Sequence, residues 1–478
     1  MSDFILLAPE GVFFLLLMAL FLQSVLGKYS PVSVTIWLPP ATAVILMAAV
    51  GGLALSGSLF SGTYSVDALS QFFKLAVAIG FIFVVVNAVR QPSLEAEKRS
   101  DYFLFMGFSA WGLMLLASAN ELITLYMALE LSSYSLYVLI PIRERSKGAA
   151  EAGAKYLLFG AAATALSLYG LSHIIASQHT TYIMELAGKD WSFSTNPQAV
   201  MGLCLFLCGM FYKLALFPFH FWCPDVYQGS SNETAAFIAT LPKLGAVVIL
   251  IRLSALLKPG LEITTIMAWL GLISMTFGNL CALTQKDVKR LLGFSSVAHA
   301  GYIMVGLVAG TAQGLAAAAF YALAYVIMNL LCFWVVSRVS KDGRNLQMND
   351  LNGLYKRSPA LAFSLAVGAF ALVGLPPTIG FMGKLFLVSA AWNNGYNWLV
   401  IGLVLNSAIA IYYYLSLVRH AYTEEADDAM PESSQVDTSF FASAGAVVLA
   451  GLALLLGIVP AIAFDYAVEA GKSLAGLM

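Results

Sequence analysis

The sequence predicts an all-α polytopic membrane protein with about fourteen transmembrane helices. Its 478 residues are 60% hydrophobic and only 11% charged, whereas soluble domains are roughly 45–50% apolar and about 25% charged. Apolar stretches of about 20 residues, the length at which a helix spans a bilayer, recur along the chain. They are too long for barrel strands and lack a two-residue alternation. We place the spans at 4–27, 32–56, 66–89, 102–118, 120–142, 152–177, 199–222, 232–257, 262–283, 290–309, 313–340, 359–392, 397–422 and 440–463.

The distribution of Lys and Arg predicts the orientation of these spans, because loops rich in Lys and Arg stay in the cytoplasm. With the N-terminus outside, the inner loops collect sixteen Lys and Arg residues, whereas the outer loops and tail collect only Lys189, Lys258 and Lys472. A missed span would scramble this asymmetry, so it supports the helix count. We therefore expect both termini on the periplasmic side.

Two spans contain prolines that should interrupt them. Pro218 follows Lys213 closely, and the run Gly374-Leu375-Pro376-Pro377 precedes Lys384. Proline removes a backbone donor and clashes with the preceding turn, and residues 359–392 are too long for one straight span. Interrupted helices at matching places in two halves point to an inverted repeat.

This pattern predicts four parts in the chain. Residues 1–100 form three N-terminal helices, and residues 101–258 form a first repeat of five helices, the fourth to the eighth. Residues 259–423 form a second, inverted repeat, the ninth to the thirteenth, so that the discontinuous helices 7 and 12 correspond. Residues 424–478 form an acidic loop and the fourteenth helix.

Five ionisable side chains fall inside predicted spans: Glu130, Lys155, Lys213, Lys243 and Lys384. A charge at the bilayer midplane costs about 2.5–3.5 kcal/mol on insertion scales, so such residues usually mark ion or proton pathways. Burial disfavours the charged form of a lysine and a nearby carboxylate favours it, so a Glu/Lys pair that forms and breaks would act as a proton switch. The alternative is a static ion pair between two helices, but four lysines for one glutamate leave most of them without such a partner. Lys155, near the inner end of its span, either takes part or snorkels to the headgroups.

Other polar residues in the spans have two interpretations each. His299, beside two serines, suits a proton relay, and the alternative is a satisfied core histidine. Asp225, at the start of an inner loop, either feeds a proton entrance or shapes a turn. Lys74 and Arg252 lie near the outer ends of their spans, and this placement indicates snorkelling or interfacial side chains.

Several functional classes are excluded by composition. The net charge is −1 and there is no run of Lys and Arg, so nucleic acid is not expected as a partner. The five cysteines have no metal, haem or cluster spacing, and no HExxH, Walker or nucleophile motif occurs. We expect no catalytic residue, cofactor or metal site in this chain.

Three motifs carry a resemblance to a known family. They are residues 212–229 (YKLALFPFHFWCPDVYQG), 289–302 (KRLLGFSSVAHAGY) and 374–384 (GLPPTIGFMGK). From about residue 60 to 460 the chain resembles the antiporter-like membrane subunits of respiratory complex I. Among these it is most similar to the subunit N type of bacterial NADH:quinone oxidoreductase, in length, in the DVYQG run and in the lysine of helix 12.

The resemblance implies a proton-translocating membrane-arm subunit of the bacterial inner membrane, a non-redox part of an enzyme complex. By motif position, Glu130 matches the family's carboxylate of helix 5 and Lys213 its partner, Lys243 the central lysine and Lys384 the lysine of the exit. Lys155 matches a further lysine of the subunit N type. Flavin, iron–sulfur clusters, quinone and NADH or another donor would bind other subunits, and the partners would be other membrane-arm subunits, including neighbouring antiporter-like ones, and the lipid bilayer.

Two departures from the family pattern stand near Lys243. Where the family shows small residues and prolines after Gln-Gly, this chain has a Ser-Ser-Asn-Glu run ending in Glu233, and Pro242 directly precedes Lys243. The first adds a carboxylate where protons would enter, and the second predicts a bend.

Three other functions remain open from the sequence. A subunit of a multisubunit cation/proton antiporter would share these motifs. A stand-alone solute transporter would have a substrate pocket at the broken helices. A purely structural membrane scaffold is disfavoured by lysines without carboxylate partners.

Overall fold

The computed structural model describes residues 2–26, 31–89, 92–143, 146–257, 262–392, 394–424, 436–437 and 439–475. Lys258 and most of the predicted acidic loop lie outside these ranges. In the described ranges the chain forms twenty α-helices: α1 (Ser2–Ile5), α2 (Ala8–Leu26), α3 (Pro31–Gly52), α4 (Ala68–Ala88), α5 (Arg99–Ser118), α6 (Leu122–Leu139), α7 (Lys147–Gln178), α8 (Ile183–Ala187), α9 (Pro197–Leu214), α10 (Trp222–Gly229), α11 (Asn232–Leu253), α12 (Glu262–Ala282), α13 (Val288–Val308), α14 (Ala312–Val339), α15 (Leu354–Arg357), α16 (Pro359–Val373), α17 (Ile379–Trp392), α18 (Asn397–Tyr422), α19 (Phe440–Ile458) and α20 (Ala461–Ala475).

The predicted all-α membrane architecture is confirmed. Thirteen helices of the described residues are long and apolar enough to cross a membrane, and the shorter pair α16 and α17 occupies the twelfth predicted span. The thirteen together with this pair correspond to the fourteen predicted spans. The last span is shorter than predicted, because α19 ends at Ile458 and a separate helix, α20, packs back against α14 and α4.

Both predicted interruptions are present. Helix α9 ends at Leu214, where Ala215 adopts a left-handed conformation, and helical structure resumes only at Trp222. Helix α16 ends at Val373, and Gly374 follows with φ 87°, a conformation that glycine adopts without steric penalty. By contrast, α11 continues as one helix through Pro242.

Three helices form the centre of the bundle. The membrane-spanning segments of α11 and α14 are buried along their whole length, and that of α13 nearly so, whereas α3 is mostly exposed. Helix α14 contacts α11, α13, α16, α17, α19 and α20. Polar side chains on α11, α13 and α14 are therefore placed inside the protein.

At each end of the bundle, the loops of that end contact one another. At one end, which we call the inner face, the Arg143 Nη2 donates to the Gly343 carbonyl at 2.8 Å, and Asp287 pairs with Gln347. At the other end, the outer face, strands β1 (Gly57–Leu59) and β2 (Tyr64–Val66) form an antiparallel hairpin with Gly57 opposite Val66. The prediction did not include this hairpin.

Candidate functional site

Glu130 is a buried carboxylate in the middle of α6. Its side chain is 5% exposed, and the Thr164 hydroxyl on α7 donates a hydrogen bond to Oε1 at 3.0 Å. The second oxygen, Oε2, has no hydrogen-bond partner in the described part of the chain. The carboxylate is therefore held on one side only.

Lys213 lies in the last turn of α9, directly before the break. Its ammonium lies over the rings of Tyr137, Tyr156 and Tyr212, at 5.3–5.9 Å from their centroids. Aromatic faces attract cations, and so does the negative end of a helix dipole. Among the described residues, Lys213 Nζ has no hydrogen-bond partner, so rings and the helix end are what stabilise this charge.

Glu130 and Lys213, the predicted switch, are neighbours that do not touch. Lys213 Nζ and Glu130 Oε2 both lack a hydrogen-bond partner within the described ranges, and so does the hydroxyl of Tyr137, whose ring centroid is 5.9 Å from Lys213 Nζ. The two charges interact electrostatically across this gap. Three partnerless atoms are unusual here, since buried polar atoms are nearly always hydrogen-bonded. Because Glu130 and Lys213 are not in contact, they can pair only after a side-chain movement or through a bridging water.

Lys243, in the middle of α11, contacts α13. Its ammonium donates a short hydrogen bond to the Ser296 hydroxyl and lies 3.4 Å from the Ser296 carbonyl oxygen. The same hydroxyl is 2.6 Å from the Tyr325 hydroxyl and 3.2 Å from that of Tyr227. Ser296 therefore joins Lys243 to two tyrosines that each can donate or accept a proton.

His299 continues this network one turn further along α13. Its Nδ1 is 2.8 Å from the Tyr321 hydroxyl and its Nε2 is 3.2 Å from the Tyr414 hydroxyl. Tyr414 in turn makes a short hydrogen bond with Ser295. A neutral imidazole donates from one nitrogen and accepts at the other, so a histidine between two hydroxyls is both satisfied and able to pass a proton.

Lys384, on α17, reaches back to the end of the preceding half-helix. Its ammonium donates to the Val373 carbonyl at 2.7 Å and to the Ser407 hydroxyl at 3.1 Å. It also lies 4.5 Å from the centroid of the Tyr302 ring. That ring is 5.4 Å from the His299 ring, so Lys384 is the far end of the network.

Lys155 is not part of the buried network that includes Lys243, His299 and Lys384. Its side chain is 38% exposed and bridges to Asp225 at 2.7 Å and to Glu151 at 2.8 Å at the inner face. Lys155 is therefore not one of the buried charges, because a residue two turns inside the helix start still reaches the surface, and its part in a proton pathway stays a prediction. Burial opposes ionisation of Asp225, but hydrogen bonds from Lys155 and Arg290 outweigh it, so the pKa of this carboxyl lies below its usual value. Asp225 lies within helix α10 and carries two ion pairs.

The prediction missed a second set of buried charges near the outer face. Lys74 is fully buried, with its ammonium 2.6 Å from Oε1 of the buried Glu10. Arg252 is 2% exposed and donates to both oxygens of Asp67 at 3.0 and 3.1 Å. Lys74 and Arg252 are therefore paired inside the protein, and the prediction that these side chains snorkel to the surface was wrong.

Tyrosines are the main component of the site that the sequence did not indicate. Lys213, Lys243, His299 and Lys384 each lie close to tyrosine side chains, and the tyrosines of this network are Tyr137, Tyr156, Tyr212, Tyr227, Tyr302, Tyr321, Tyr325 and Tyr414, all buried except the partly buried Tyr137. The available signal was the number of tyrosines in the middle of spans, since interfacial tyrosines would lie at the span ends. In the ranges that the structure describes, no group of three His, Cys, Asp or Glu side chains could hold a metal ion.

Comparison with known proteins gives consistent matches over the whole chain. The family described as "NADH:quinone oxidoreductase/Mrp antiporter, TM" matches residues 119–410. NADH-quinone oxidoreductase subunit N 2 of Solidesulfovibrio magneticus is 59% identical over 99% of this chain and 100% of its own length.

Solved structures extend this similarity to the fold. A chain of respiratory complex I from Thermus thermophilus with bound aureothin is 32% identical, with a TM-score of 0.83 over 96% of this chain and 98% of its own. A chain of the Mrp complex from a Dietzia species has a TM-score of 0.87 over 98% of this chain and 97% of its own at 18% identity. The latter likeness shows the fold alone.

Proposed function

This chain belongs to the subunit N family of bacterial NADH:quinone oxidoreductase, and we propose that its protons move through Glu130, Lys213, Lys243, His299 and Lys384. It is a multi-pass membrane-arm subunit of that complex, with other membrane-arm subunits as partners. The rival assignment to a cation/proton antiporter is disfavoured, because the Mrp chain is only 18% identical in sequence to this chain. Redox cofactors are expected in other subunits.

One observation supports the residue assignment: hydrogen bonds and ring contacts join buried polar side chains from Lys243 to Lys384. Lys243 contacts Ser296, and Ser296 contacts Tyr325 at 2.6 Å. The Tyr325 ring lies 5.4 Å from the His299 ring, and beyond His299 Tyr302 lies under the Lys384 ammonium. Serine, tyrosine and histidine each donate and accept hydrogen bonds, so these side chains can pass a proton where water bridges the ring contacts.

Each of the two broken spans places a lysine beside the C-terminal end of a half-helix. Lys213 lies in the last turn of α9, and the Lys384 ammonium binds the last carbonyl groups of α16. Unpaired carbonyls at a helix C-terminus stabilise a cation, and half-helix ends serve this role in transporters built from inverted repeats. This parallel supports the division into repeats at 101–258 and 259–423.

The switch at the start of the row follows from its open geometry. When the Glu130 carboxylate approaches, it stabilises the charged form of Lys213, and when it withdraws, the buried ammonium releases its proton. The proton passes through water to Lys243 and then through Ser296 and Tyr325 to His299 and Lys384. Release at the outer face fits the orientation that the Lys and Arg distribution predicts, with both termini periplasmic in the bacterial inner membrane.

The test uses the assembled complex in inverted membrane vesicles. Lys213→Met and Lys243→Met should each lower proton pumping driven by NADH oxidation by about tenfold or more, because a positioned group that transfers a proton contributes at least this much to a rate. Lys356→Met, which removes an exposed lysine paired with Glu424, is the matched control and should pump normally. Normal pumping by either buried-lysine variant in a fully assembled complex would refute the assignment.

A further inference from the structure

Glu233 is a buried carboxylate that the proposed row does not use. It lies in the first turn of α11, is 3% exposed, and its Oε2 has no hydrogen-bond partner in the ranges described. A helix dipole favours an acid in a first turn. It does not account for an acid that is buried and half unpaired, because such a group loses its hydration without full compensation.

A polar cleft of about 370 Å³ opens on the inner face beside the start of α11. We call it the inner cleft. Charged and amide side chains line it, among them Arg143, Lys155, Asp225, Gln228 and Arg290. Walls with this many donors and acceptors favour water, so the cleft brings aqueous protons to the inner end of the bundle.

The backbone of Gly229 and Ser230 separates the inner cleft from the interior. Gly229 lines the cleft, whereas Ser230 is fully buried. Arg143, which lines the cleft, donates to the Ser230 carbonyl at 3.1 Å, and Lys289, which is fully buried, donates to the same oxygen at 2.7 Å. Glu233 follows three residues later, and its charge interacts with Arg338 as well as with Lys289 and Arg143.

A second polar contact joins the same part of the protein to the proposed row. Lys243 follows Glu233 by ten residues of α11, about 15 Å along a helix, and Ser296 follows Lys289 by seven residues of α13, about 10 Å. Lys243 and Ser296 are hydrogen-bonded. Tyr227, on the short helix α10 that lines the cleft, reaches Ser296 with its hydroxyl. Helices α10 and α13 therefore carry polar groups both at the cleft and beside Lys243.

We propose that Glu233, positioned by Lys289 and Arg143, is a proton-uptake group between the inner cleft and Lys243. A proton from cleft water binds Glu233 Oε2 and gives the neutral acid, and it then leaves through water and hydroxyl groups to the neutral amine of Lys243. The neighbouring cations favour the return of Glu233 to its carboxylate form. Only O–H and N–H bonds change, and the step needs no co-reactant. The inference rests on the proposed role of Lys243.

Glu233 lies four residues after Gly229, in the first turn of α11. It adds a route to Lys243 that does not pass through Glu130 and Lys213.

The experiment measures proton pumping per NADH oxidised in inverted vesicles, which expose the inner face to the medium, from neutral to alkaline pH. Loss of an uptake group matters most where protons are scarce, so Glu233→Gln should lower the pumping rate by about tenfold at alkaline pH and much less at neutral pH. Glu233→Asp, which keeps the acid, should restore most of the rate. A fall that is equal at all pH values, or a failure of Asp to rescue, would overturn the uptake role in favour of a structural one.

Two further variants separate this inference from the proposed function. Glu424→Gln removes an exposed acid at the end of α18 and should keep the wild-type pH profile. Lys243→Met should lower pumping at every pH. If Lys243→Met pumps normally, the proposed function fails. If Lys243→Met is inactive while Glu233→Gln follows the wild-type profile in an equally assembled complex, only the uptake inference fails.

Discussion

Two buried Glu/Lys sites, one near the outer face and one in the middle of the bundle, use the same residue types in opposite ways. Near the outer face Glu10 and Lys74 are in contact at 2.6 Å, and the Tyr64 hydroxyl donates to the same Glu10 oxygen at 2.5 Å. In the middle, Glu130 and Lys213 make no hydrogen bond to each other in the described part of the structure. We call these the closed pair and the open pair.

The difference teaches that burial alone does not identify a functional charge. In the closed pair each charge has its counter-ion, although the Lys74 ammonium is not aligned with Glu10 as a hydrogen-bond donor. Breaking such a pair leaves an uncompensated buried charge. In the open pair each charge interacts with neutral groups, so no strong contact opposes movement. The closed pair should therefore govern stability and the open pair transport.

The largest expected effect is on the closed pair. Lys74→Met leaves the Glu10 carboxylate buried without its counter-ion, which should destabilise the subunit by about 3–5 kcal/mol. The measurement is the amount of assembled complex on native gels together with the thermal midpoint of the purified complex. We expect little assembled complex to remain.

The double variant Glu10→Gln, Lys74→Met is the control for that prediction. It removes both charges, so assembly should recover substantially, since replacing a whole buried pair is often nearly neutral. Pumping by the recovered complex should be close to the wild-type rate. A loss of pumping in a well-assembled double variant would place the closed pair in the transport path and contradict the comparison.

A matched pair of Tyr→Phe variants sharpens the comparison at intermediate magnitude. Tyr64→Phe removes the hydroxyl that donates to Glu10, and a hydrogen bond to a charged group contributes about 1.5–3 kcal/mol. We expect a lower thermal midpoint with normal pumping per assembled complex. An unchanged midpoint would show that Tyr64 does not contribute to the closed pair.

Tyr137→Phe should have the opposite profile. The Tyr137 hydroxyl has no hydrogen-bond partner among the described residues, so its removal should leave the thermal midpoint unchanged or raise it by an amount equivalent to about 1 kcal/mol. The variant also removes a hydroxyl beside the open pair, so the pumping rate should fall. A lower midpoint with normal pumping would make Tyr137 a structural residue.

The sequence predicted most of the fold, because hydropathy and the length of apolar stretches directly reflect the bilayer. The breaks at Pro218 and Gly374 were predictable for a local reason, the loss of backbone hydrogen bonds. Helix α20 was not, since it packs against α14 and α4, which are distant in the sequence. The β1–β2 hairpin was not either, because its strands are only three residues long.

The site was predicted as a set of residues but not as a set of contacts. Depth in a span correctly predicted that Glu130, Lys213, Lys243 and Lys384 are buried, whereas it did not predict the burial of Lys74. Position along a helix says how deep a residue is, but the side of the helix that meets a partner decides whether it is buried. The gap in the open pair depends on the relative placement of α6 and α9, which no single segment encodes.

The smallest expected effect is on a third ion pair, which Lys155 and Asp225 form at the hydrated inner face. The pKa of Asp225 is lowered in the folded protein. The pair therefore contributes its full stabilisation of the fold at pH values above the unfolded-state pKa of about 3.9. This contribution is lost as the pH falls through the folded-state pKa. Because both side chains are partly exposed, the contribution is about 0.2–1 kcal/mol. Asp225→Asn should remove this small acid-dependent change in thermal midpoint, and high salt should weaken the wild-type pair in the same way. The closed pair is shielded from solvent, so its contribution to the thermal midpoint should be insensitive to salt. If salt changed the midpoint difference between wild type and Lys74→Met as much as the difference between wild type and Asp225→Asn, the distinction between buried and hydrated pairs would be contradicted.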